Sequence, residues 1–388
     1  MPKSIWVLGF VSMLMDISTE MIHSLLPMFM VTVLGASALT VGLIEGAAAA
    51  TALTVKVFAG ALSDYFRQRK GLVVIGYALG ALSKPLIALA QTSGLILGAH
   101  VLDRVGKGIR GAPRDAMVAD IAPPQVRGAA FGLRQSLRSM GAFFGPVLAV
   151  VLMLLFANDF RVVFWVAVVP GVLAVLVLVC GIKEPPRTQA QRRTNPICRE
   201  SLKRLGAGYW WIVAIGSMFT LARFSEVFLI LKAQESGVAM AVVPLVMVAM
   251  SLVYATTAYP VSRIANRLSH NRLLALGLLV LVNAHLVLAT TSGWLSLLLG
   301  VGLWGVHLGL TQGLLATLVA NAAPPDLRGT ALGLFNLICG FSMLVACGLA
   351  GWLWDCFGSS AAFYGGAVFG LLALGVVVFR FTRFGHLD

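Results

Sequence analysis

The chain has 388 residues, of which 59% are hydrophobic and only 11% charged, and its mean hydropathy is +0.91. A water-soluble domain of this length needs far more charge to cover its surface, so the soluble classes are excluded. The net charge of +14 would suit nucleic acid, but the basic residues sit in short loops between apolar blocks, with no basic domain to dock on a phosphate backbone.

The apolar blocks each approach the roughly 20 residues needed to cross a bilayer. In chain order the predicted spans are 5–34, 41–62, 71–90, 95–120, 128–156 and 161–182, then 209–232, 239–262, 273–291, 294–320, 330–354 and 360–381. The first is too long for a signal-peptide core and reads as a retained helix. Turn signals separate the blocks at Leu34-Gly35-Ala36-Ser37, Thr92-Ser93-Gly94, Ala122-Pro123-Pro124 and Ala323-Pro324-Pro325. The predicted fold is an all-α integral membrane bundle of twelve helices in two six-helix halves, 1–182 and 209–388, joined by a linker over 183–208.

Loop charge gives the orientation. One side holds Lys3, Arg67, Arg69, Lys70, Arg127, Arg263, Arg267, Arg272, Arg328, Arg380 and Arg383, while the other holds little beyond Arg161 and Lys232. Both termini are expected to be cytoplasmic, and the protein to be multi-pass in a bacterial inner membrane. The linker carries Arg187, Arg192, Arg193, Arg199, Lys203 and Arg204, which suit contact with anionic lipid headgroups.

An internal repeat supports the two halves. Ala122-Pro123-Pro124-Gln125-Val126-Arg127-Gly128 is echoed by Ala323-Pro324-Pro325-Asp326-Leu327-Arg328-Gly329, an offset of 201 residues. Such repeats suit a transporter whose site lies between two rocking halves.

Charges at membrane depth are the candidate functional residues, because each costs about 2.5–3.5 kcal/mol or more to place there. The first helix has Asp16, Glu20, His23 and Pro27 on one face. Asp16 lies about 17 Å along from Ile5, near mid-membrane. A carboxylate in a partly dry cavity can carry protons, so Asp16 and Glu20 are candidate proton carriers; the competing reading pairs them with arginines of the fourth or fifth helix. His23 reads as a packed or outward-facing residue.

The fourth helix has His100, Arg104, Lys107, Gly111 and Arg114 along one stripe, with Asp103 and Arg110 beside it. The fifth adds Arg134 and Arg138. Arg114 and Arg134 lie near the cytoplasmic end, where snorkelling is expected. Arg104, Lys107 and Arg138 are deeper and either neutralise Asp16, Glu20 and Asp103 or bind an anionic solute. On the seventh helix Arg223 and Glu226 are i, i+3 neighbours, read as solute-binding and proton-coupling candidates or as a local ion pair. His285 and His307 read as packed polar residues, and Lys56 as snorkelling. Lys84, before Pro85, has no role legible in the sequence.

No zinc-type spacing occurs among Cys180, Cys198, Cys339, Cys347 and Cys356, which read as packing residues. Met13, Met15, Met21, Met28 and Met30 with His23 admit a copper route as a minor alternative. No HxxxxD, HExxH or GxSxG cluster and no GxxxxGK[ST] loop appears, so neither an enzyme nor direct use of ATP is expected.

Gly60-Ala61-Leu62-Ser63-Asp64-Tyr65-Phe66-Arg67-Gln68-Arg69-Lys70 resembles the loop signature of the major facilitator superfamily, with Tyr65 where a basic residue is usual and Arg67 where glycine is usual. Asn266 to Arg272 looks like a decayed copy. Asp120, Pro123, Arg127 and Gly128 match a second element, and Arg104 to Gly108 and Gly111 a third. Gly141-Ala142-Phe143-Phe144-Gly145-Pro146 resembles the fifth-helix motif of the family's exporters, although Ala149 replaces a usual glycine. The resemblance implies the superfamily's fold and alternating access. It assigns gating to Gly60, Asp64, Arg67, Arg69, Asp120, Arg127, Gly141, Gly145 and Pro146. Charge-assisted pairs among the loop residues would latch the inner gate; the competing readings are static loop ion pairs and, for Gly141 and Gly145, simple close packing.

The expected function is proton-coupled efflux, as an antiporter, of a small organic and anionic solute such as a drug, chelator or metabolite. The alternatives are a proton-coupled importer and a sensor that no longer transports. Expected partners are the small-molecule substrate, protons and membrane lipid. No cofactor, bound metal or nucleic acid is expected, and the working unit is expected to be a monomer.

Overall fold

The computed structural model describes residues 2–66, 69–182, 204–264, 270–290, 293–311, 313–324 and 327–384. The described residues are helical, without a strand. The helices are α1 (Lys3–His23), α2 (Leu26–Thr32), α3 (Ala38–Phe66), α4 (Arg69–Ala88), α5 (Ser93–Ile121), α6 (Arg127–Leu155) and α7 (Phe160–Gly181). They continue as α8 (Ala207–Ala222), α9 (Val227–Glu235), α10 (Leu245–Ile264), α11 (His270–Ala289), α12 (Trp294–Thr311), α13 (Leu314–Ala322), α14 (Arg328–Phe357) and α15 (Ser359–Phe384).

Paired short helices make single spans: α1 with α2, α8 with α9, and α12 with α13. Eleven spans among the described residues are long and apolar enough to cross a membrane. The remaining helix, α5, is 29 residues long. Its length suffices, and its charges lower its apolarity. The twelve-helix expectation is met, and the structure corrects its details. The first, seventh and tenth helices are interrupted rather than continuous. The eighth starts at Leu245, after a 3-10 turn over Met240–Val242, rather than at 239.

Two of the three interruptions have a local cause. Pro27 cannot donate a backbone hydrogen bond, and α1 ends at His23 just before it. Gly313, at φ +79°, turns the chain between α12 and α13 in a conformation that side-chain-bearing residues resist. The break at Arg223–Glu226 contains neither proline nor glycine, and it is held by tertiary contacts described below.

Contacts divide the chain into two units. The first comprises Met1–Ala36, Ala47–Gln191 and Ala239–Leu245; the second comprises Ser37–Gly46, Arg192–Val238 and Val246–Asp388. In the first, α1 packs on α6 and α7, and α4 packs on α5 and α7. In the second, α8 packs on α14 and α15, and α11 packs on α12 and α15. The same arrangement is therefore built twice, in chain order, as the sequence repeat implies. The first core joins Ile5, Leu8, Val11 and Met15 to Val73, Tyr77, Ala174 and Leu178. The second joins Tyr209, Ile212 and Phe219 to Leu274, Leu278, Ala373 and Val377. Large apolar side chains such as Leu154, Leu155, Val169 and Leu176 remain on the outside, as lipid requires.

The two basic residues that depart from the loop-charge rule are both tied down. Arg161 donates from Nη1 to the Ala88 carbonyl at 3.0 Å and from Nη2 to the Ala90 carbonyl at 2.9 Å, closing the C-terminus of α4. Lys232 is buried and donates to Ser359 Oγ at 2.7 Å.

Candidate functional site

The charged candidates of the first half converge in the first unit. The convergence begins with close packing of α6 on α1. A Cβ on Gly141 would lie 2.5 Å from the Met13 carbonyl oxygen, and one on Gly145 would lie 2.7 Å from Glu20 Cβ. Only glycine permits this approach, and Pro146 is buried one residue further on. The approach sets Arg138 against Asp16, with Nε donating to Oδ2 at 2.9 Å. The pair is partly accessible, Arg138 at 40% and Asp16 at 18%.

Lys107 on α5 joins this pair. Arg104, Asp16, Arg138 and Glu20 are its charged neighbours. Glu20 lies 4.0 Å from His23 Nδ1, and the His23 ring stacks on His100 at 6.2 Å. His23 is thus packed between helices. Asp16, Glu20, Arg104, Lys107 and Arg138 form one neighbourhood, in which cations outnumber carboxylates.

Three further charge groups lie in the first unit. Lys84 and Asp103, each 2% exposed, pair at 2.8 Å, and Lys84 Nζ also donates to Thr19 Oγ1 at 3.2 Å. Arg110 lies 4.5 Å over the Tyr77 ring, and Tyr77 shares a hydrogen bond with Ser12 at 3.2 Å. The third group corrects the snorkelling expectation. Asp115 draws Arg114 to 3.1 Å and Arg134 to 3.0 Å, and neither arginine reaches outward, because the carboxylate between them holds both.

The loop candidates divide. Arg69 Nη1 pairs with Asp120 Oδ2. Arg127 is exposed at the first position of α6. Gly60 and Asp64 fall in the last turns of α3, where side chains lie outside the described residues, and Arg67 lies outside them altogether. The linker over 183–203 and Asn266 to Ser269 also lie outside. Lys56 is exposed, as a snorkelling lysine would be.

In the second unit, Arg223 Nη2 lies 3.5 Å from Glu226 Oε1. They are not neighbours on one helix as expected, because they bracket the break between α8 and α9. Fully buried His285 shares a 2.9 Å hydrogen bond from Nε2 with the Ala222 carbonyl, which α8 leaves unpaired at its end. Phe224 packs on His285 at 5.1 Å and on Trp304 at 5.8 Å. His307, also fully buried, shares a hydrogen bond with the Gly277 carbonyl at 2.8 Å. A polar anchor and an aromatic cluster thus hold the unwound segment open.

An open groove of about 690 Å³ lies along α6, lined by Gly132, Gln135, Ser136, Ser139, Met140, Phe143 and Phe144. Among the described residues no group of three or more His, Cys, Asp or Glu side chains is placed to hold a metal ion. Met15, Met21, Met28 and Met30 are buried in the core.

A family profile described as Major Facilitator Superfamily matches residues 8–347 and 213–386. The chain belongs to the Major Facilitator Superfamily. Within this superfamily it is 32% identical over 384 residues to an uncharacterized MFS-type transporter of Methanocaldococcus jannaschii, covering 96% of this chain and 94% of the relative. It is 25% identical over 351 residues to the multidrug resistance protein MdtH of Proteus mirabilis, covering 89% and 85%. The superfamily fold is also that of a crystal structure of the peptide transporter POT in complex with sulfate, with a TM-score of 0.83 at 16% identity, covering 100% of this chain and 96% of that one.

Proposed function

We propose that this member of the superfamily is a proton-coupled antiporter that exports a small organic anion from the cytoplasm by alternating access. The observation that carries the reading is the Arg138–Asp16 pair at 2.9 Å, partly accessible and set beside Arg104 and Lys107. A solute carboxylate or phosphate competes with Asp16 for Arg138. Protonation of Asp16 breaks the same pair from the other side, so either ligand alone separates Arg138 from Asp16, and the pair re-forms only when the site holds neither. The pair thereby locks the empty, deprotonated carrier, which reorients with the solute in one direction or with the proton in the other, and this is the requirement for antiport. Glu20 lies in the same field, and Arg223 with Glu226 repeats the chemistry on a smaller scale at the helix break of the second unit. Arg69 with Asp120 supplies a gating pair at the cytoplasmic helix ends.

Two points support export. The Gly141 to Pro146 element resembles that of the family's exporters, and a relative is named a multidrug resistance protein. The test uses proteoliposomes with a pH-reporting dye in the lumen and a panel of organic anions added outside. Antiport predicts that the lumen turns alkaline relative to protein-free liposomes as anions enter and protons leave. Acidification by anion entry would establish the importer reading instead, and no protein-dependent change with any anion would remove proton coupling.

A further inference from the structure

The buried Lys84–Asp103 pair lies outside the exchange chemistry just described. Lys84 comes from α4 and Asp103 from α5. Each is 2% exposed, their separation is 2.8 Å, and Thr19 Oγ1 of α1 accepts a second hydrogen bond from Lys84 at 3.2 Å. Breaking such a buried pair is costly, yet its net stabilisation is small because both charges are desolvated, so stability alone is a weak reason to keep it. Its position offers another reason. Asp103 is flanked by Arg104 and Arg110 as well as by Lys84. Arg104 follows Asp103 in the chain and stands one turn before Lys107 on α5. One arginine therefore links the buried carboxylate to the cations proposed to meet the solute.

We propose that Lys84 is a positioning residue that sets the anion affinity of the site. By neutralising Asp103 in place, it prevents that carboxylate from offsetting the charge that Arg104 and Lys107 present to the solute. The proposal rests on the anionic-solute reading. It requires neither Lys84 nor Asp103 to touch the solute, and their burial suits a role at one remove.

The two residues are expected to act in opposite directions. Lys84→Met leaves a carboxylate without its counter-charge beside Arg104 and weakens anion binding about tenfold, the equivalent of a charge-assisted hydrogen bond. Asp103→Asn removes the offsetting charge and tightens binding. The double variant Lys84→Met/Asp103→Asn loses both charges and recovers affinity to within about threefold of the natural protein.

The experiment is isothermal titration of the full chain in lipid nanodiscs with benzoate, succinate and inorganic phosphate, with the melting midpoint of each variant recorded alongside. Opposite signs for the single variants, together with recovery in the double variant, support the proposal. Equal weakening by both singles indicates a purely structural pair and overturns it. The double variant leaves neither member of the pair unpaired, and its melting midpoint shows whether it folds where a single variant does not. A folded double variant that binds more than about tenfold more weakly than the natural protein overturns the proposal without the singles. Failure of the natural protein to bind any of the three anions overturns the anionic-solute reading instead.

Discussion

Arg138 Nε lies 2.9 Å from Asp16 Oδ2, joining two residues 122 positions apart in the sequence through the contact of α6 on α1. The pair exists because Gly141 and Gly145 let the helix backbones meet, and one turn before Gly141 the guanidinium reaches the carboxylate. Packing and charge chemistry are thus determined by the same few residues.

Arg138→Ala is expected to weaken organic-anion binding by about tenfold or more, the scale of a lost charge-assisted hydrogen bond. Arg138→Lys is expected to recover part of the loss, because an ammonium keeps the charge without the planar fork. Titration of purified protein with organic anions checks both variants. Unchanged affinity in Arg138→Ala would remove this residue from the solute site.

Gly145→Val should destabilise the first unit by about 1–3 kcal/mol through overpacking, since even a Cβ at this position would lie 2.7 Å from Glu20 Cβ. Gly141→Val should behave alike, because its Cβ would lie 2.5 Å from the Met13 carbonyl oxygen. Thermal unfolding in detergent reads the change, and a midpoint equal to that of the natural protein would contradict the close approach of α6 to α1.

His285→Phe should cost about 1–3 kcal/mol, the penalty for leaving a buried carbonyl without its donor, here that of Ala222 at the end of α8. The helix break should then lose definition. Hydrogen exchange of the Arg223 to Val227 amides measures this directly. Unaltered exchange would show that the aromatic cluster around Phe224 holds the break without the histidine.

Arg161→Ala removes two donors from the carbonyls of Ala88 and Ala90 and a guanidinium lying 5.6 Å over the Phe29 ring. A lower melting midpoint with transport retained per folded molecule is expected, because these contacts end a helix away from the proposed exchange site. Loss of transport at an unchanged midpoint would give Arg161 a functional role.

The spans and their pairing into halves were legible in the sequence because lipid demands long apolar blocks, and because the Ala122 repeat recurs at Ala323. The convergence of Asp16, Glu20, Arg104, Lys107 and Arg138 was legible as a set, since charge at membrane depth has few explanations. Its pairings were not. Asp16 was open to arginines of two helices, and only the seating of α1 on Gly141 and Gly145 selects Arg138. The Lys84–Asp103 pair is not marked by hairpin register, because Lys84 lies close to the end of α4 while Asp103 lies several turns into α5, and only the reach of the lysine side chain joins them. The break after Ala222 left no local signal. No proline or glycine marks it, and its causes are His285, Trp304 and Phe363, which reach Phe224 from helices distant in sequence.

The central claim is that Asp16 carries the proton that is exchanged for the anion at Arg138. It is tested most directly by measuring labelled-anion counterflow and pH-gradient-driven anion accumulation in the same proteoliposomes, for the natural protein and for Asp16→Asn. Counterflow needs only binding and alternating access, whereas accumulation needs coupling. The account predicts that Asp16→Asn keeps counterflow and loses gradient-driven accumulation. Accumulation by Asp16→Asn at the rate of the natural protein would contradict it.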